Sequence, residues 1–157
     1  MLRKYLLIFL VSMVPMVELR GSIIMAVGWD LDYFTALTVS VIGNMLPVPV
    51  IYCFARHVLV WGAKNQYIGG FFRFFLEKGE KAGQKLVATT GRGGLFIALM
   101  LFVGIPLPGT GAWTGTLGAS FLNMGFKSTV ASVSLGVVMA AIIMGGLSAL
   151  GLHIFGL

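Results

Sequence analysis

A single cysteine, Cys53, stands in this chain. That excludes an intrachain disulfide and a thiolate metal cluster. Acidic residues number only five, against eleven lysines and arginines, and charged side chains of both signs make up 10% of the sequence. No Ser/His/Asp or Cys/His arrangement is visible, and His57 and His153 stand isolated, without metal-ligand spacing around either. The glycine-rich run from Gly109 to Gly115 superficially fits a dinucleotide fingerprint, but it lacks the preceding strand and the acidic residue ~20 positions on. We therefore expect no enzyme, no cofactor and no metal site.

What is abundant is apolar sequence. Of 157 residues, 58% are hydrophobic, and the mean hydropathy is +0.97. A soluble domain of this size needs far less apolar surface, so the composition predicts an integral membrane protein. The net charge of +6 does not imply nucleic acid. Seven of the eleven basic residues (Arg56, Lys64, Arg73, Lys78, Lys81, Lys85 and Arg92) fall in the one hydrophilic stretch, as the positive-inside rule would place them. The start, Met1-Leu2-Arg3-Lys4-Tyr5 followed by Leu6–Val17, resembles a signal peptide. No small-x-small cleavage site follows it, and Glu18 and Arg20 fall where one should lie, so we expect the segment to be retained.

Two polar interruptions organise the apolar sequence. Val14-Pro15-Met16-Val17-Glu18-Leu19-Arg20-Gly21 breaks the first run, and Gly104-Ile105-Pro106-Leu107-Pro108-Gly109-Thr110-Gly111 breaks a later one. Each leaves pieces spanning only ~15–24 Å as helix, against a hydrocarbon core of ~30 Å. Broken backbone at that depth must be buried in protein or line a wet cavity. The expectation is a pair of re-entrant hairpins, each followed by a full span, from Tyr33 to about His57 and from Ser128 to about Leu150. Pro47 and Pro49 should kink or unwind the first span, and Asn44 is placed to partner a freed carbonyl. Residues 58–94, with Phe71, Phe74 and Phe75 ahead of Lys78, Lys81 and Lys85, suit an amphipathic helix in the headgroup region, ending at Thr89–Gly94.

Gly21 and Gly28 mirror Gly111 and Gly118, and Pro15 mirrors Pro106. The expected fold class is an all-α integral membrane protein of two inverted repeats, 1–57 and 95–157, joined by the basic amphipathic connector 58–94 in a single membrane domain. Charge counting alone favours four complete spans; the Pro-Leu-Pro-Gly-Thr-Gly break favours hairpins, and we adopt the hairpin reading. Ser128, Ser132, Gly136 and Ala140, then Ala141, Gly145 and Ala149, form a small-residue stripe that predicts close helix packing.

Candidate path residues follow from these breaks. Glu18 and Arg20 are charges at membrane depth, which must be paired or face water. Functionally, Glu18 would carry a proton or cation and Arg20 would anchor an anion; structurally, the two would form an ion pair or turn clamp. Gly21, Pro106, Pro108, Gly109, Thr110, Gly111 and Trp113 belong to the breaks, where backbone amides can face a ligand or glycine can merely permit a turn. Asn44, Pro47 and Pro49 complete the set at the first span. Arg56 either snorkels to headgroups or makes a gating contact.

Val17-Glu18-Leu19-Arg20-Gly21-Ser22, Gly43-Asn44-Met45-Leu46-Pro47-Val48-Pro49 and Ile105-Pro106-Leu107-Pro108-Gly109-Thr110-Gly111-Ala112-Trp113-Thr114-Gly115 together resemble the small multi-drug export protein family. The resemblance covers essentially the whole chain, departing at Ser22-Ile23-Ile24, where relatives often read Gly-Ile-Pro. That family looks distantly related to the DedA/VTT membrane proteins, which implies re-entrant hairpins in inverted repeats with a substrate path between them. The expected function is a small secondary transporter of the cytoplasmic membrane, multi-pass, exporting small cationic or amphipathic molecules with proton exchange at Glu18. A DedA-like lipid flippase or scramblase is the alternative, and a non-transporting membrane scaffold a third reading. Expected partners are membrane lipids, the small-molecule or lipid substrate and a second copy in a homodimer or larger oligomer, with no nucleic acid.

Overall fold

A computed structural model describes residues 1–15, 17–107 and 109–155, without the side chains of Phe75 and residues 149–155. Its elements are α1 (Leu2–Ser12), α2 (Glu18–Gly28), α3 (Tyr33–Met45), α4 (Pro47–Lys64), α5 (Gly69–Gly104), α6 (Ala112–Phe121) and α7 (Phe126–Phe155), and no strand occurs among the described residues. Three stretches are long and apolar enough to cross a membrane: Tyr33–Lys64, Gly69–Gly104 and Phe126–Ser148. Helices α1, α2 and α6 hold 11, 11 and 10 residues. At ~1.5 Å per residue each reaches about half of the hydrocarbon core.

Two expectations shift in detail. Leu46 keeps helical angles (φ −62°, ψ −40°) and Pro47 follows as the first residue of α4. A missing amide costs little at that position. The expected unwinding over Leu46–Pro49 therefore contracts to one junction residue. The connector also differs from its expected bounds. Helix α4 continues to Lys64, and α5 runs from Gly69 through the predicted stop at Thr89–Gly94 to Gly104. Only Gly91 leaves helical angles inside it (φ 71°, ψ 173°). One glycine in the left-handed region is enough to redirect the helix axis without ending it.

Each short limb returns to the end from which its partner set out. Lys4 Nζ donates to Trp29 O at 3.3 Å, joining the start of α1 to the end of α2. A Cβ on Gly79 or Gly83 of α5 would overlap the carbonyls of Phe121 and Leu122, so the turn after α6 lies against the basic half of α5. The two return turns are built alike. Asp30 (φ 53°) and Asn123 (φ 55°) adopt the left-handed conformation just past α2 and α6. Asp30 N donates to Val27 O and Leu31 N to Ala26 O; Asn123 N donates to Ser120 O and Met124 N to Ala119 O. These are two Schellman caps, with the short polar side chains that tolerate left-handed backbone.

The limbs then cross between halves. Helix α2 packs on α7 and α6 on α4, while α1 lies on α3 and the apolar end of α5 on α7. Leu19, Ile23, Val48, Leu99, Val103, Ala112, Val133, Val137 and Ala141 form the shared core. The middle of the small-residue stripe faces α5, while Gly145 packs against the Tyr33 side chain of α3. Ser132 Oγ donates to Phe96 O at 2.6 Å, and a Cβ on Gly136 would meet Met100 O at 2.7 Å. The close approach that the stripe encodes is made within one chain at these positions.

Candidate functional site: a clasp between the two breaks

The first break delivers a carboxylate to the second. Glu18 opens α2 in the left-handed region (φ 49°), a conformation that costs a non-glycine residue roughly 1–2 kcal/mol. Its side chain is 7% exposed. The two carboxylate oxygens accept hydrogen bonds from Ala112 N at 3.1 Å and Trp113 N at 3.0 Å. Those amides open α6, where helix N–H groups lack internal partners and the helix dipole favours negative charge. The capping position of α6 is Gly111, which has no side chain to offer. A Cβ there would overlap Glu18 Oε2 and lie 2.6 Å from its Cδ, so glycine is what admits the carboxylate.

Arg20, half-buried two residues on, takes the opposite polarity. Its guanidinium donates to the carbonyls of Leu107 and Thr110 and to Thr110 Oγ1 at 2.9 Å. Thr110 Oγ1 itself lies 2.9 Å from both Ile105 O and Leu107 O. Gly109, at φ +82°, makes the reversal that turns these carbonyls inward. The second break answers in kind: Trp113 Nε1 donates to Met13 O, just past α1, at 3.1 Å.

Glu18 and Arg20 form no ion pair with one another; among the described residues the single ion pair is Arg56 Nη2–Glu80 Oε1 at 3.8 Å. The expected neutralising pair is therefore replaced by two charges on opposite poles of the facing backbone. At i,i+2 in helix α2 the side chains diverge, and the broken segment opposite offers both free amides and free carbonyls. Arg56 bridges to the connector through Glu80.

Five of the predicted path residues thus meet in one cluster: Glu18, Arg20, Thr110, Gly111 and Trp113. Gly109 shapes it and Pro106 lies half-buried beside it. Gly21 packs against the side chain of Val17. Pro108 lies outside the described residues. Asn44, Pro47 and Pro49 sit apart at the α3–α4 junction, with no hydrogen bond to the clasp. Asn44 is buried, and its acceptor Oδ1 has no hydrogen-bond partner. Two further buried hydroxyls, Ser40 Oγ and Ser120 Oγ, are also unpartnered. Ser40 stands four residues before Asn44, on the same helix face, a spacing the sequence offered as a signal. Among the described residues no group of three His, Cys, Asp or Glu side chains gathers into a metal site.

Two sealed breaks on three long apolar helices define an α-helical membrane protein with a polar junction inside it. A family model described as “Putative small multi-drug export protein” matches residues 18–143. The chain belongs to that family, and its export function class fits the apolar helices. No curated protein and no solved structure matches it.

Proposed function

We propose that this protein is a small secondary transporter of the cytoplasmic membrane, exporting small cationic or amphipathic molecules in exchange for protons taken up by Glu18. Residues 1–57 and 95–157 then act as inverted repeats whose short limbs enter the membrane and return, and the two long helices that follow them span it. The matched Schellman turns and the exchanged packing of α2 on α7 and α6 on α4 support that symmetry. A homodimer, with the substrate path completed between or within protomers, accompanies this reading.

The observation that carries it is the Glu18 carboxylate buried on the α6 amides. As an anion it holds both N–H groups. Once protonated it loses the charge those groups favour, and the bond between the two breaks weakens. Loading a proton on Glu18 therefore loosens one half of the protein from the other, which is the link an exchanger needs between ion binding and conformational change. Arg20 and Thr110 hold the second break through contacts of their own.

The test is purified protein in liposomes, assayed in parallel for pH-driven efflux of a fluorescent cation and for lipid scrambling. Glu18→Gln should fold and abolish proton-driven efflux. Undiminished pH-driven efflux would make the carboxylate a structural cap. Lipid scrambling without cation transport would install the flippase reading, and neither activity in the parent protein the scaffold reading.

A further inference from the structure

A cavity of about 620 Å³ lies between the basic half of α5 and the turn after α6, with Gln84, Arg92, Asn123 and Ser128 in its polar lining. Glu80 stands at its edge, already engaged by Arg56 at 3.8 Å and by Asn123 Nδ2 at 3.5 Å. Among the described residues, Arg92 is thus the lining cation without a carboxylate within ion-pair distance. Leu95, Leu122 and Met124 form the cavity's floor, and the same three residues begin an apolar groove of about 270 Å³ that climbs between α5 and α6 past Leu99 and Phe102. From Leu95 to Phe102 the groove rises ~10 Å, a third of the hydrocarbon core.

Head and tail of an amphiphile are matched in order. We propose that this composite site binds one anionic phospholipid, with its phosphate at Arg92 and one acyl chain in the groove beside α6. Further back on the same helix Phe71 and Phe74 are exposed, with Lys78 above the Phe74 ring, a pairing suited to the headgroup boundary. The groove exists because α6 carries glycine on that side. A Cβ at Gly118 would meet no atom within 4 Å, so the space in front of it is open to a ligand and is not filled by protein. This inference stands apart from the transport reading, because binding requires neither Glu18 nor movement.

Native mass spectrometry of the full chain, titrated with phosphatidylglycerol or phosphatidylcholine, tests it. One phosphatidylglycerol should bind with about a fivefold preference, the scale of one arginine at a membrane surface. Arg92→Gln should equalise the two lipids. Gly118→Leu should fill the groove and weaken both by roughly tenfold, as the buried chain contacts are lost. Gly118→Ala, which fits the open space and suits a helix, should give a smaller decrease and provides the comparison if the leucine variant folds poorly. A phosphatidylglycerol preference that survives Arg92→Gln overturns the proposal, as does full occupancy in folded Gly118→Leu or Gly118→Ala. So does a protein dimer, in place of bound lipid, that dissociates on Gly118→Leu.

Discussion

The carboxylate of Glu18 occupies the space that a side chain at Gly111 would fill. Ninety-three positions separate them in sequence, yet each fixes what the other is allowed to be. Gly111 has φ 172°, extended backbone that any residue adopts, so its requirement for glycine comes from space, and the three atoms nearest a Cβ there all belong to the Glu18 carboxylate.

Gly111→Ala should therefore displace the carboxylate and free two amides, costing about 2 kcal/mol or more in unfolding free energy. In a Glu18→Ala background the same change should cost little, because the space is empty. The double-mutant cycle should return a coupling of about 1–3 kcal/mol, measured by chemical or thermal unfolding in detergent. Additive losses would mean that the contact is incidental.

Arg20→Lys tests whether charge or geometry matters in the partner interaction. The guanidinium reaches two carbonyls and a hydroxyl from one plane. An ammonium is a point donor and cannot span them, so the conservative change should cost about 1.5–3 kcal/mol. Limited proteolysis should then cut near Leu107–Gly111, where the parent resists. Parent-like resistance in Arg20→Lys would reduce Arg20 to a simple charge.

Asp32 gives a pH dependence outside the spans. Its carboxylate accepts from the Thr35 hydroxyl at 2.6 Å and the Thr35 amide at 2.9 Å. Those bonds, the hydroxyl's first, hold it below the ordinary carboxylate range. A group lowered on folding adds stability above its unfolded pKa of about 3.9 and loses it as pH falls through the lowered native value. Thermal unfolding of the parent and Asp32→Ala should therefore differ at neutral pH and converge in acid. A constant difference would assign the effect to packing.

Cysteine labelling tests the course of the chain through the membrane. The native Cys53 is exposed and must first be replaced by serine. Cysteines at Gly28 and Asp32 should label from one side of the membrane, and those at Lys81 and Gly125 only from the other. Gly28 and Gly125 have open space for a Cβ, whereas Gly79 packs on Phe121 O and is a poor site. Labelling of Gly125 from the Gly28 side would restore four complete spans.

Local chemistry made much of this molecule legible in the sequence. Apolar runs of the right length predicted α3–α4 and α7, and the proline and glycine clusters marked both breaks, because a helix without amides or with free φ cannot continue there. Charge in an apolar run singled out Glu18 and Arg20 for the same reason: burial without partners is too costly to be accidental. The identity of those partners was decided elsewhere. Adjacent residues suggested an ion pair, but only the folded arrangement sets α2 against the second break, where orphan amides and carbonyls outbid a strained contact between neighbours. The small-residue stripe likewise announced a close approach without naming the approaching helix, since any backbone satisfies it. Gly91, one of several glycines there, is the turning point of α5 through its backbone angle, which nothing in the local sequence singles out. Sequence determined which groups must be satisfied; tertiary structure determined by what, because the satisfying atoms lie on chain segments some ninety residues away.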